Sequence, residues 1–88
     1  MRDVQSLTHE VFAAFVRGES CRTKRSVWTD GTAVYSYTHK LLTNPMHFAG
    51  LLLNTWDGFS DTTKQVQAHL RALVNASEFS LNESRCGC

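Results

Sequence analysis

Val4, Leu7, Val11, Phe12, Phe15 and Val16 recur at three- and four-residue intervals, the period that lines apolar side chains along one face of an α-helix. Asp3 is placed to cap the start of this helix, Arg17 suits the negative end of its dipole, and Gly18 falls where a left-handed residue ends a helix. The pattern then shifts to period two. Strands are predicted near 24–29 and 32–38, the second alternating so that Ala33, Tyr35 and Tyr37 share one face while Val34 and Ser36 share the other. Asp30-Gly31 between them predicts a tight hairpin turn in which both residues take positive φ. Alternation alone does not say which face is buried.

Pro45 keeps Asn44 out of the helical region, so residues 39–49 read as a loop with Leu41 and Leu42 packing a short turn beneath it. Gly50 to Trp56 is a short apolar run, read as a third and more buried strand, and Asp57-Gly58 turns the chain. A second helix follows, with Ser60 or Asp61 as its cap, Thr62-x-x-Gln65 at capping-box spacing, and Val66, Leu70, Leu73 and Val74 as its buried stripe. Periodicity is lost after Ser77. The expected architecture is one α+β domain over residues 1–78, ordered helix-strand-strand-strand-helix, with a small antiparallel sheet and both helices on one face. Residues 79–88 form a polar tail in which Phe79 and Leu81 can dock back. Phe12, Phe15, Leu52, Leu70 and Leu73 are expected to share the core.

Composition narrows the function classes. With 88 residues, 42% hydrophobic and 10% aromatic, the chain fits one folded domain rather than a disordered segment. Nine Lys and Arg against eight Asp and Glu leave a net charge of +1, too little for wholesale electrostatic capture of nucleic acid or anionic membrane. That balance favours association, so a homodimer or a protein partner is expected. The apolar runs are too short to span a bilayer and the start lacks the pattern of a secretory leader, which gives an expectation of no membrane and a cytoplasmic location in the host cell. Cys21, Cys86 and Cys88 cannot build a disulfide framework.

No catalytic or metal-binding constellation emerges. His9, His39, His47 and His69 lack ligand spacing, and Cys86-Gly87-Cys88 brings no supporting shell. Ser36 lies near His39 without a nucleophile elbow, and Cys21 has Arg22 and Lys24 beside it. The expectation is therefore a protein without cofactor, metal or enzymatic activity. Two clusters suit binding. Arg22, Lys24 and Arg25, with Arg17 just before them, stand close to Trp28, Tyr35 and Tyr37. Cations beside aromatics suit single-stranded nucleic acid, and cations on an edge strand also guard against aggregation. Thr62, Thr63 and Lys64 open the second helix, where they serve either an anion site or an ordinary cap.

Arg25-Ser26-Val27-Trp28 through Tyr35-Ser36-Tyr37, with the later block Phe59-Ser60-x-Thr62-Thr63-Lys64 and His69, resembles small phage and mobile-element proteins over residues 25–74. His69 falls later than the histidine of those proteins, and Thr38 stands where glycine commonly follows the Tyr-Ser-Tyr run. The element order also resembles a double-stranded RNA-binding domain, although only Lys64 matches its helix-start lysines and Asp30-Gly31 replaces its Pro-x-His reader. The phage resemblance implies provenance rather than activity; with the small size and the lack of catalytic geometry it leads to the expectation of a stoichiometric phage-type accessory protein that binds a host protein or ribonucleoprotein complex. Inhibition of a host defence complex, as by anti-CRISPR proteins, is its most specific form. The alternatives are a nucleic-acid-binding module or a protein that sequesters nucleotides or other small ligands.

Overall fold

The apolar period of the first segment produces α1 (Val4–Val16), which buries Val11, Phe12, Ala14 and Phe15 in the computed structural model, where residues 4–44 and 50–84 are described. Its buried stripe ends at Phe15; Val16 is exposed in the last turn. Gly18, at φ 75°, closes the helix as the sequence predicts: its N–H donates to the Phe15 carbonyl and that of Glu19 to the Ala14 carbonyl. This is the paired reversal that lets glycine satisfy the last free carbonyls of a helix. The predicted cap Asp3, the Pro45 loop, His47 and the two C-terminal cysteines lie outside the described residues.

Six strands follow where three were expected. They are β1 (Cys21–Arg22), β2 (Val27–Thr29), β3 (Ala33–Ser36), β4 (His39–Thr43), β5 (Gly50–Asn54) and β6 (Ser80–Ser84), with α2 (Asp61–Asn75) between the last two. They form one sheet in chain order, antiparallel from β1 to β5, with β6 parallel to β5. The sheet is therefore mixed rather than antiparallel, because α2 carries the chain back across it before β6 begins. The order also departs from that of a double-stranded RNA-binding domain.

Three of these strands, β1, β4 and β6, were not expected, and for β4 and β6 the reason is identifiable. In β4, Tyr35 pairs with Lys40 while Val34 pairs with Leu42, so Leu41 is an extra residue in a bulge. The bulge breaks the alternation and lets Leu41 and Leu42 both enter the core. β6 is a polar sequence from the expected tail. It becomes a strand by pairing with β5 and by an ion pair between Arg71 of α2 and Glu83 at 2.7 Å. The folded unit thus reaches residue 84.

The core lies between the helices and one face of the sheet. Val11, Phe12 and Phe15 of α1 and Val66, Leu70 and Val74 of α2 join Val27, Val34, Leu42, Leu51 and Leu53 in one cluster. Leu51 and Leu53 face inward, so Leu52, expected in the core, is only half-buried, as is Leu73 at the rim of the α2 stripe. On the inner face, the buried hydroxyls of Ser26, Ser36 and Thr63 make a chain. Ser36 donates to Ser26 at 3.1 Å, Ser60 donates to Thr63 at 3.3 Å, and Ser36 and Thr63 share a bond of 3.0 Å. Each hydroxyl has one proton, so Thr63 must donate to Ser36.

Leu70→Ala is expected to destabilise the domain by about 2–5 kcal/mol through an unfilled cavity, measured by the chemical-denaturation midpoint. Thr63→Val should cost about 1–3 kcal/mol, because Ser36 and Ser60 lose a buried partner; a midpoint equal to the parent's would show that the chain contributes nothing.

Candidate functional site

The hairpin between β2 and β3 organises the outer face of the sheet. Val27 pairs with Ser36, Trp28 with Tyr35 and Thr29 with Val34. The inward positions are buried, so Trp28 and Tyr35 stand on the other face, half-buried. Their rings stack at 4.3 Å and 12°, and the Arg22 guanidinium lies over the Trp28 ring at 4.7 Å. Lys40 continues the row beyond Tyr35. Such a ring pair contributes about 0.5–1.5 kcal/mol beyond its buried area, and an exposed cation over an indole about 0.5–1 kcal/mol.

The loop beneath this row is closed differently from the expected turn. Gly31 has φ 96°, but Asp30 is not at positive φ, since Tyr37 is the one non-glycine residue there among those described. The register leaves Asp30 to Ala33 between the paired residues, a longer connection than a two-residue turn. The Asp30 carboxylate closes it by accepting from the Thr32 N–H, the Thr32 hydroxyl and the Ala33 N–H. These bonds hold its pKa below the ordinary 3.8. The Tyr35 hydroxyl donates to the same carboxylate at 3.3 Å, and burial, then the charge of Asp30, raises the Tyr35 pKa above 10.0.

At the far end of the hairpin, two connections meet. The Thr23 hydroxyl donates to the Val27 carbonyl at 2.8 Å and accepts the Arg25 N–H at 3.0 Å, which shapes the bend carrying Lys24 and Arg25. The other connection is Tyr37-Thr38, between the paired residues Ser36 and His39. Tyr37 sits at φ 56° and is 58% exposed. Its N–H donates to the Ser26 carbonyl at 2.8 Å, and its carbonyl accepts the Trp28 indole N–H at 2.7 Å.

Arg22, Lys24, Arg25, Trp28, Tyr35 and Tyr37 therefore converge on one corner of the sheet. Lys40 joins them although the sequence reading missed it, because its strand read as a loop. The second cluster does not join this corner. Thr63 is buried, with its hydroxyl bound to Ser36 on the inner face, so it is closed to an external anion. Ser60, one of the two residues expected to cap α2, does so, and its side chain accepts the Thr63 N–H. Thr62 is half-buried. Exposed Lys64 borders an open cleft of about 260 Å³ with Trp56, Asp57 and Arg71.

The other candidates are also placed. Ser36 is buried among hydroxyls, while His39 packs on the Phe59 ring at 4.8 Å. His9 and His69, on different helices, line one cleft of about 80 Å³, a proximity that spacing along the chain could not reveal. Among the described residues no group of three or more His, Cys, Asp or Glu is placed to hold a metal ion, and no helix is long and apolar enough to cross a membrane.

Two measurements check the loop chemistry. Gly31→Val should cost roughly 1–3 kcal/mol, because it imposes positive φ on a branched residue and sets a Cβ 2.8 Å from the Gly18 carbonyl oxygen. Because folding lowers the Asp30 pKa, the carboxylate stabilises the fold above its unfolded value, and that contribution fades as pH falls from about 3.8 through the lowered value. Stability followed against pH should therefore lose part of its acid limb in Asp30→Asn.

Compared with known proteins, the chain matches no family model, no curated protein and no solved structure.

Proposed function

We propose that the chain is a stoichiometric binding protein that docks a macromolecular partner on the corner of the sheet formed by Arg22, Lys24, Arg25, Tyr37 and Lys40. The observation that carries this reading is Tyr37. A turn residue at φ 56° is best served by glycine or asparagine, which adopt that region at little cost. Here a large aromatic residue occupies it and stands 58% exposed, so its ring adds little to the core. Strained backbone positions cluster at functional sites, and this one presents an exposed aromatic side chain. Its neighbours support the same use, since tyrosine, tryptophan and arginine supply most binding hot spots. In its most specific form, the partner belongs to a host defence complex, a reading that rests on the resemblance of residues 25–74 to small phage proteins.

The test compares the parent with Tyr37→Gly and with Lys24→Glu/Arg25→Glu as baits in a bacterial lysate, after circular dichroism has verified their folds. Tyr37→Gly relieves the turn, so its melting temperature should equal or exceed the parent's, while recovery of the captured partner should fall about tenfold or more. The charge reversal should abolish capture. Undiminished capture by both folded variants would place the contact elsewhere.

A further inference from the structure

We infer that the partner presented to this corner is an acidic protein surface, bound through its carboxylates, rather than a nucleic acid. The inference rests on the proposed docking corner and adds the chemistry of what docks there. The sequence pattern of cations beside aromatics fits single-stranded nucleic acid equally well, because bases stack on free ring faces. The structure occupies the Trp28 ring and leaves Tyr37 as the exposed aromatic side chain of the corner. Trp28 is covered on the ring by the Arg22 guanidinium at 4.7 Å and stacked against Tyr35 at 4.3 Å. The indole N–H, which could read a base edge, is already bound to the Tyr37 carbonyl. The Tyr35 hydroxyl is bound to Asp30. The row is a self-satisfied platform that positions the Arg22 guanidinium over Trp28.

The exposed charged side chains on this part of the sheet, Arg22, Lys24, Arg25 and Lys40, are cationic, while the Asp30 carboxylate lies at the opposite end of the hairpin and accepts hydrogen bonds within its own loop. A guanidinium positioned over an indole by cation–π attraction can still take a carboxylate through its N–H groups, with two parallel bonds where the geometry allows. The exposed Tyr37 hydroxyl adds a neutral donor and acceptor. Duplex nucleic acid would engage the same cations, but its attraction is mainly electrostatic and falls steeply with salt, and a chain of net charge +1 supplies little long-range attraction for it. Local positive charge on a nearly neutral protein is instead the complement of an acidic patch of similar extent. The clamped turn and the Thr23-closed bend also reduce the ordering lost on binding.

The test titrates the full chain against a fluorescein-labelled glutamate-rich peptide containing leucine and tyrosine, and against labelled oligo(dT) and a labelled DNA duplex, by anisotropy at about 150 mM salt. The peptide should bind at least about tenfold more tightly than either nucleic acid. Lys24→Glu/Arg25→Glu should weaken peptide binding about tenfold or more. Arg22→Ala separates the chemistries further, since it removes a carboxylate ligand but uncovers a ring face. It should weaken the peptide and leave oligo(dT) unchanged or slightly improved. Peptide binding that survives the charge reversal would refute the corner itself. Tighter binding of oligo(dT) or duplex, abolished by the same reversal, would keep the corner and overturn the acidic partner. Failure of the peptide to bind at millimolar concentration would overturn the inference.

Discussion

The pairing of Trp28 with Tyr35 and of Val27 with Ser36 divides the molecule into two chemistries. Successive side chains of a strand point to opposite faces, so one register fixes both surfaces together. Val27, Thr29, Val34 and Ser36 are committed to the helices, and Trp28 and Tyr35 are then held on the other side. A slip of one residue would drive two large rings into the space that Val27 and Val34 fill and expose the core face of both strands. The apolar core and the Arg22–Trp28–Tyr35 row thus depend on the same ladder.

That ladder is joined to the rest of the fold through polar contacts. Ser36 reaches Thr63, which reaches Ser60 at the start of α2, so the hairpin and the second helix are indexed to one another by hydroxyl groups in a buried setting. Such groups are costly unless paired, and no buried side-chain nitrogen or oxygen among the described residues lacks a partner. On the outer face, the Trp28 indole N–H donates to the Tyr37 carbonyl and ties an exposed turn to β2.

The docking corner gains its character from this division. Arg22 over the Trp28 ring, Tyr37 held at its backbone by Ser26 and Trp28, and Asp30 hydrogen-bonded within its own loop leave a surface whose exposed groups are mainly cations and one phenol. Its recognition chemistry therefore differs from what the same residues suggest when read as a string.

The sequence determined the two helices, the glycine that ends α1, the hairpin and the inward face of α2, because each is written in local periodicity or in a residue with one conformational use. It also brought Arg22, Lys24, Arg25, Trp28, Tyr35 and Tyr37 forward together, since they are neighbours along the chain. It did not determine β4, where the bulge at Leu41 erases the alternation, nor β6, whose polar residues become a strand only by pairing with β5. Tertiary structure alone added Lys40 to the corner, withdrew Thr63 into the core and covered the Trp28 ring. Each of these is set by a contact between segments distant in the chain, and such contacts leave no periodic trace in either partner.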